Sequence, residues 1–191
     1  MPKVKAVLVG DAGVGKTCIA ERISKNSFNE STYATVGAAN LTVTIQTNNR
    51  EVIFNIWDTA GQERYRSLTP MYFAGAQVAI LVFDITSEAS FSALDNFCDL
   101  LQQRAPTDCV FVLVGNKSDM ESKREVTKEA AFAYSQKIGA IFYTETSAMS
   151  GDGVQKLFND IADSGMITFQ EEEPDFIADI KTPEPEKKGC C

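Results

Sequence analysis

The sequence predicts an α/β fold: a six-stranded, mostly parallel sheet with one antiparallel hairpin strand and helices on both faces. Three observations predict it. Gln77–Asp84 and Cys109–Asn116 are short continuous apolar runs, the signature of parallel strands buried on both faces. Longer segments between the runs repeat their apolar residues at helical spacing. Leu41–Ile45 alternates with period two and leads through Asn48-Asn49 into Val52–Trp57, a hairpin signal.

In order along the chain, Val4–Val9 reads as a mostly buried strand, followed by a glycine-rich turn and a helix through about Lys25. The hairpin supplies the next two strands, and Gln77–Asp84 the fourth. Ser87 is a capping residue for a helix running to Arg104, with Phe91, Leu94, Phe97, Cys98 and Leu101 on one face. Cys109–Asn116 follows as the fifth strand. Thr127 caps another helix that ends near Gly139. Ala140–Glu145 is the last strand and Val154–Ala162 the last helix. Strands alternating with helices make an open sheet covered on both sides. The body runs over residues 1–165 and a tail over 166–191.

Composition excludes several functions. Eighteen basic residues against 26 acidic ones leave a net charge of −8, the wrong sign for broad nucleic-acid binding. The chain has no histidine, which removes Ser-His-Asp and Cys-His nucleophiles and every His-ligated zinc site. No apolar run reaches a membrane-spanning length, and Met1-Pro2-Lys3 opens neither a signal peptide nor a myristoylation site. A cytosolic location is the default expectation. Cys18, Cys98 and Cys109 lie in apolar segments and read as small buried hydrophobes. Cys190 and Cys191 end the chain behind a polar tail and can serve no core.

Three clusters carry the chemistry. Gly10-Asp-Ala-Gly-Val-Gly-Lys-Thr17 is a complete G-x-x-x-x-G-K-[ST] phosphate loop between a strand and a helix, which marks a P-loop NTPase. Its glycines let backbone N–H groups curl around phosphate oxygens at the helix start. Lys16 sets a point charge on the outer phosphates and the Thr17 hydroxyl can ligate Mg²⁺. This loop alone leaves kinases, ATPases and GTPases open. In the second cluster, Trp57-Asp-Thr-Ala-Gly-Gln-Glu63, Asp58 ends a strand where a carboxylate can hold the hydration shell of Mg²⁺. Gly61 can bring a backbone N–H to a terminal phosphate, and Gln62 can orient an attacking water. Read alone, Asp-Thr-Ala-Gly is an ordinary turn.

The third cluster selects the base. Gly115-Asn-Lys-Ser-Asp119 follows one buried strand and Thr146-Ser-Ala148 the next, at the sheet edge where open α/β folds bind ligands. The Asp119 carboxylate can accept from guanine's ring N–H and exocyclic amine together. Adenine offers no such pair on that edge, so the carboxylate would stay unpaired.

Together the clusters resemble the Ras-like small GTPases over nearly the whole body. The run Trp57–Leu68, Thr35-Val-Gly-Ala-Ala39, Pro70-Met-Tyr72 and the terminal Gly189-Cys-Cys191 resemble the Rab branch, nearest its early-endosomal members. The resemblance implies that Gly13, Val14, Gly15, Lys16, Thr17 and Cys18 wrap the phosphates. Thr17 and Thr35 would ligate Mg²⁺, with Asp58 reaching the ion through water. Phe28 would pack on the guanine, Asn116 and Asp119 would bind it, and Lys117 would lie along its ring. Ser147 would brace that loop, and the Ala148 N–H would meet the exocyclic oxygen. Lys16, Gly61 and Gln62 would carry hydrolysis.

The same resemblance implies a monomeric switch in vesicle trafficking that recruits effectors when GTP is bound. Segments near 30–41 and 60–76 would be ordered by the γ-phosphate and released on hydrolysis. With no arginine obviously completing the site in cis, hydrolysis is expected to be slow without an activating protein. An exchange factor and a prenyl-binding chaperone are implied as further partners, and nucleic acid is not. The Gly-Cys-Cys ending resembles the double-cysteine site of geranylgeranylation. The expected location is the cytoplasmic face of intracellular membranes, the early endosome among them, in exchange with the cytosol.

The sequence departs from the Rab pattern at Asn40, where phenylalanine is usual among three joined apolar side chains; Trp57 and Tyr72 keep the other two. The tail is acidic, with seven carboxylates against three lysines and three prolines, and is expected to be disordered.

Overall fold

The computed structural model of the chain describes residues 1–29, 38–59 and 69–169. Among the described residues, six strands form one sheet: β1 (Lys3–Val9), β2 (Ala38–Gln46), β3 (Glu51–Thr59), β4 (Val78–Asp84), β5 (Val110–Asn116) and β6 (Phe142–Thr146). Their spatial order is β2-β3-β1-β4-β5-β6. Only β2 and β3 run antiparallel, with Asn40 opposite Trp57; every other neighbouring pair is parallel. All seven residues of β4 are buried, as its continuous apolar run requires of a central strand. The turn of the β2–β3 hairpin is closed by Thr47, whose hydroxyl accepts from the Asn49 and Arg50 N–H groups at 3.1 and 3.0 Å.

Helices cover both faces. On one side α1 (Lys16–Lys25) and α6 (Val154–Asp163) lie against Val4, Ala6 and Leu8 of β1 and Ile80 and Val82 of β4. The alternate residues Val7, Val9, Leu81 and Phe83 face α2 (Thr69–Phe73), α4 (Leu94–Arg104) and α5 (Lys128–Lys137). Phe54 of β3 meets Phe158 of α6 edge-on, with ring centroids 5.4 Å apart and both side chains fully buried.

The two predicted caps form: the Ser87 hydroxyl accepts from Ser90 N–H and the Thr127 hydroxyl from Ala130 N–H. The predicted helix to Arg104 is divided into α3 (Glu88–Ser92) and α4, with Ala93 between them. The first piece is tied to the end of β4 by Ser90, whose buried hydroxyl engages the Asp84 and Ser87 backbone. α2 and a 3₁₀ turn over Ser118–Lys123 are additions that the apolar pattern does not signal. The packed body also continues past the expected boundary at 165. Ile167 is buried, Phe169 packs on the core beneath Arg50, and the Thr168 carbonyl accepts from the Gln77 amide. Residues 170–191, with the predicted lipidation cysteines Cys190 and Cys191, lie outside the described residues, as do Thr35, Gly61 and Gln62.

Candidate functional site

Among the described residues, most of the predicted side chains lie at the C-terminal ends of β1, β3, β5 and β6 and in the segments that follow them. After β1 the chain turns through the phosphate loop. Gly15 has φ 97°, and a Cβ on it would lie 2.2 Å from the Asn116 amide nitrogen, so a side chain is excluded on both counts. α1 then begins at Lys16, with the Ile19 N–H bonded to the Gly15 carbonyl at 2.9 Å. Val14 is buried and Cys18 is half-buried against the core.

The Lys16 side chain is only 5% exposed. Its ammonium donates to the Gly10 and Asp11 carbonyls at 2.9 and 2.7 Å, so the loop's own backbone solvates the charge. Burial lowers its pKa to about 8, against the opposing pull of Asp58 and Asp11. The Thr17 hydroxyl donates to Asp58 Oδ2 at 2.6 Å, joining the start of α1 to the end of β3. Asp58 is buried, and the neighbouring Thr59 hydroxyl donates to the Leu8 carbonyl at 2.6 Å, pinning β3 to β1 there. A hydroxyl and a carboxylate oxygen in contact are the hard donors that Mg²⁺ selects, so these residues fit that ion.

Asn116 joins the phosphate loop to the loop after β6. Its amide donates to the Val14 carbonyl at 2.9 Å, and its oxygen accepts from the Thr146 hydroxyl and the Ala148 N–H at 3.1 and 3.2 Å. Both ends of this amide are therefore held by protein groups. Lys117 adopts a left-handed conformation at φ 65°, and its ammonium lies 2.7 Å from Asp84 Oδ2. Asp119 stands on the exposed 3₁₀ turn with the buried Ser147 hydroxyl donating to its Oδ1 at 2.5 Å. Phe28 is half-buried against the core beyond α1.

The arrangement also contains two residues that the motifs do not name. Arg22 of α1 donates to the Ala148 and Met149 carbonyls at 2.9 and 2.6 Å, and so buttresses the loop after β6. No sequence signal distinguishes it from the other charged residues of that helix. Asp84 anchors Lys117 through one oxygen and holds Thr86 through the other. Its position at the end of an apolar strand was the available hint.

A family model described as the Ras family matches residues 5–166. The chain belongs to the Ras family. Within that family it is similar to Rab proteins: it is 46% identical over 158 residues to the Ras-related protein Rab5 of Nicotiana tabacum and to RABF2b of Arabidopsis thaliana. Those matches cover 83% of this chain and 78% of each relative. Human Rab-30 is 43% identical over 158 residues, covering 83% and 77% of the two chains. This Ras-family chain is accordingly a Rab-type small GTPase near the Rab5 branch. It binds and hydrolyses GTP and acts as a switch in vesicle trafficking.

Proposed function

We propose that the loops at this sheet edge form one guanine-nucleotide site, with Gly13 through Cys18 around the phosphates and Phe28, Asn116, Lys117, Asp119, Ser147 and Ala148 around the base. The observation that carries the reading is the Asn116 side chain, which links the phosphate loop and the base loops into a single unit. Lys16, aimed by the Gly10 and Asp11 carbonyls, sets its charge on the outer phosphate oxygens. Thr17 and Asp58, together with Thr35, hold Mg²⁺, which neutralises phosphate charge when bound. Gly61 directs its N–H toward the terminal phosphate, and Gln62 orients the attacking water.

The wider reading follows from this site. Residues 1–165, with the packed extension through Phe169, are the nucleotide-driven domain, and the tail that follows carries prenyl groups on Cys190 and Cys191. Among the described residues no helix is long and apolar enough to cross a membrane. Attachment to the cytoplasmic face of endosomal membranes through the lipids agrees with that. An exchange factor, an activating protein, effectors and a prenyl-binding chaperone are the partners, and the protein acts as a monomer.

Effectors meet the face where Asn40 stands opposite Trp57, whose ring tilts against Tyr72 at 5.6 Å. An exposed amide at that position shrinks the apolar surface beside the aromatic pair. Asn40→Phe is expected to gain binding to effectors of Rab5 relatives in a pull-down of the GTP-loaded protein; equal binding would show that the position does not select them.

Gln62→Leu tests the catalytic assignment. Hydrolysis in a single turnover should fall at least tenfold while GTP affinity stays within about twofold, because only contacts to the attacking water are lost. Unchanged hydrolysis would remove Gln62 from the mechanism.

A further inference from the structure

A dense ionic cluster lies behind the base loops, centred on Arg124, the residue after the 3₁₀ turn. Its guanidinium donates through Nε and Nη2 to the two carboxylate oxygens of Glu121 at 2.9 and 2.6 Å. Through Nη1 and Nη2 it donates to both oxygens of Glu145 at 2.9 and 2.8 Å, and Nη1 also reaches the Val126 carbonyl at 3.0 Å. The two ion pairs differ in setting. Glu121 is 61% exposed, whereas Arg124 and Glu145 are 12% and 15% exposed. Water competes with the first pair and is largely kept from the second.

Glu145 is itself held in place. The Tyr143 hydroxyl donates to its Oε1 at 2.5 Å, and Lys128 lies 3.7 Å from its Oε2. Glu145 pairs in register with Gly115, and a Cβ on Gly115 would come within 3.2 Å of the Tyr143 hydroxyl and 3.0 Å of Ile85 and Phe83. The glycine before Asn116 thus makes room for the group that orients Glu145.

Arg124 follows Asp119 by five residues, and Glu145 precedes Ser147 by two. The Asp119–Ser147 and Arg124–Glu145 contacts are two rungs between the same pair of segments. We infer that Arg124 is the positioning residue for base recognition: its two-point grip on Glu145 fixes the exposed 3₁₀ turn to β6 and aims the Asp119 carboxylate at the guanine edge. The inference rests on the guanine-site reading above. A carboxylate that accepts from the ring N–H and the 2-amino group must keep both oxygens in place. Without the Arg124 rung the chain after the turn stays on the Ile85 carbonyl through the Glu125 and Val126 N–H groups. The turn's tie to β6 and its loop is then reduced to the Ser147 bond, so Asp119 can follow the ring N–H while losing the 2-amino group.

Hypoxanthine lacks that amino group, so the ratio of GDP to IDP affinity reports the second contact. The full chain is titrated with both nucleotides in competition against a fluorescent GDP, and thermal melting is followed in parallel. Wild type should prefer GDP, and Asp119→Ala should erase the preference. Arg124→Ala should narrow the ratio by about tenfold, the factor of one lost hydrogen bond to a charged group. Glu145→Gln should narrow it less, and Glu121→Gln should leave it unchanged. Where Arg124→Ala does not fold, Arg124→Lys carries the test, since an ammonium cannot reproduce the paired grip and should also narrow the ratio. Equal losses for GDP and IDP in the Arg124 variants, whatever the melting temperature does, would reduce Arg124 to a stabilising role and overturn the inference. A wild type without GDP preference, or an Asp119→Ala variant that keeps it, would overturn the guanine-site reading and the inference with it.

Discussion

At the scale of the residue, Asp119 has the placement that the proposed base reading asks of a single side chain. It is exposed and held through one oxygen by the Ser147 hydroxyl, and the acceptor capacity that Ser147 does not use can serve a ligand. Asp119→Asn replaces a charged acceptor with an amide that presents one donor and one acceptor. GDP affinity should fall by about 2–3 kcal/mol, the range for hydrogen bonds to a charged group, and xanthine nucleotides should gain because their extra oxygen accepts from the amide. Competition binding with GDP and XDP measures this, and an unchanged preference would show that Asp119 does not read the base. Lys16 illustrates the opposite strategy. Its charge is almost fully buried, and the two carbonyls that hold it belong to the loop it serves.

Among the elements, α6 follows the loop after β6 that carries Ser147 and Ala148. Val154, Leu157, Phe158, Ile161 and Ala162 are buried along one face, following the spacing that the sequence repeats. Phe158 contributes a full ring to the core and an edge-on contact to Phe54. Phe158→Ala should cost about 3–5 kcal/mol, the range for deleting a buried aromatic side chain from a close-packed core. Denaturant unfolding with bound GDP held at fixed concentration measures it, and a loss below about 1 kcal/mol would mean that the neighbouring helices collapse into the space.

At the scale of the molecule, the acidic charge bears on the proposed lipid anchors. The net charge is −8, and half of it lies in residues 166–191. Anionic membrane surfaces repel such a segment, so no electrostatic term helps a lipid anchor hold. A single chain anchors marginally without a basic patch beside it. Cys190→Ser and Cys191→Ser should therefore each release most of the protein into the soluble fraction on cell fractionation. A single variant that stays fully membrane-bound would rule out the two-anchor arrangement.

The order of strands and helices, the caps at Ser87 and Thr127, and the phosphate loop were legible in the sequence because each rests on local rules: apolar period, capping chemistry and glycine spacing. Gly10–Thr17 could be read without coordinates, since the loop's chemistry lies in eight consecutive residues. The division of the helix at Ala93 was not legible, because it depends on Ser90 bonding back to the end of β4. Nor was the packing of Ile167 and Phe169, which a polar tail's composition conceals until the core they cover is known. Arg22, Asp84, Arg124 and Glu145 could not be singled out among the other charged residues, because their partners are supplied by other loops and strands. The sequence alone determined which chemistries are present and in what order. Tertiary structure decided which side chains brace them, because a salt bridge between residues 124 and 145 exists only once β5 and β6 lie side by side.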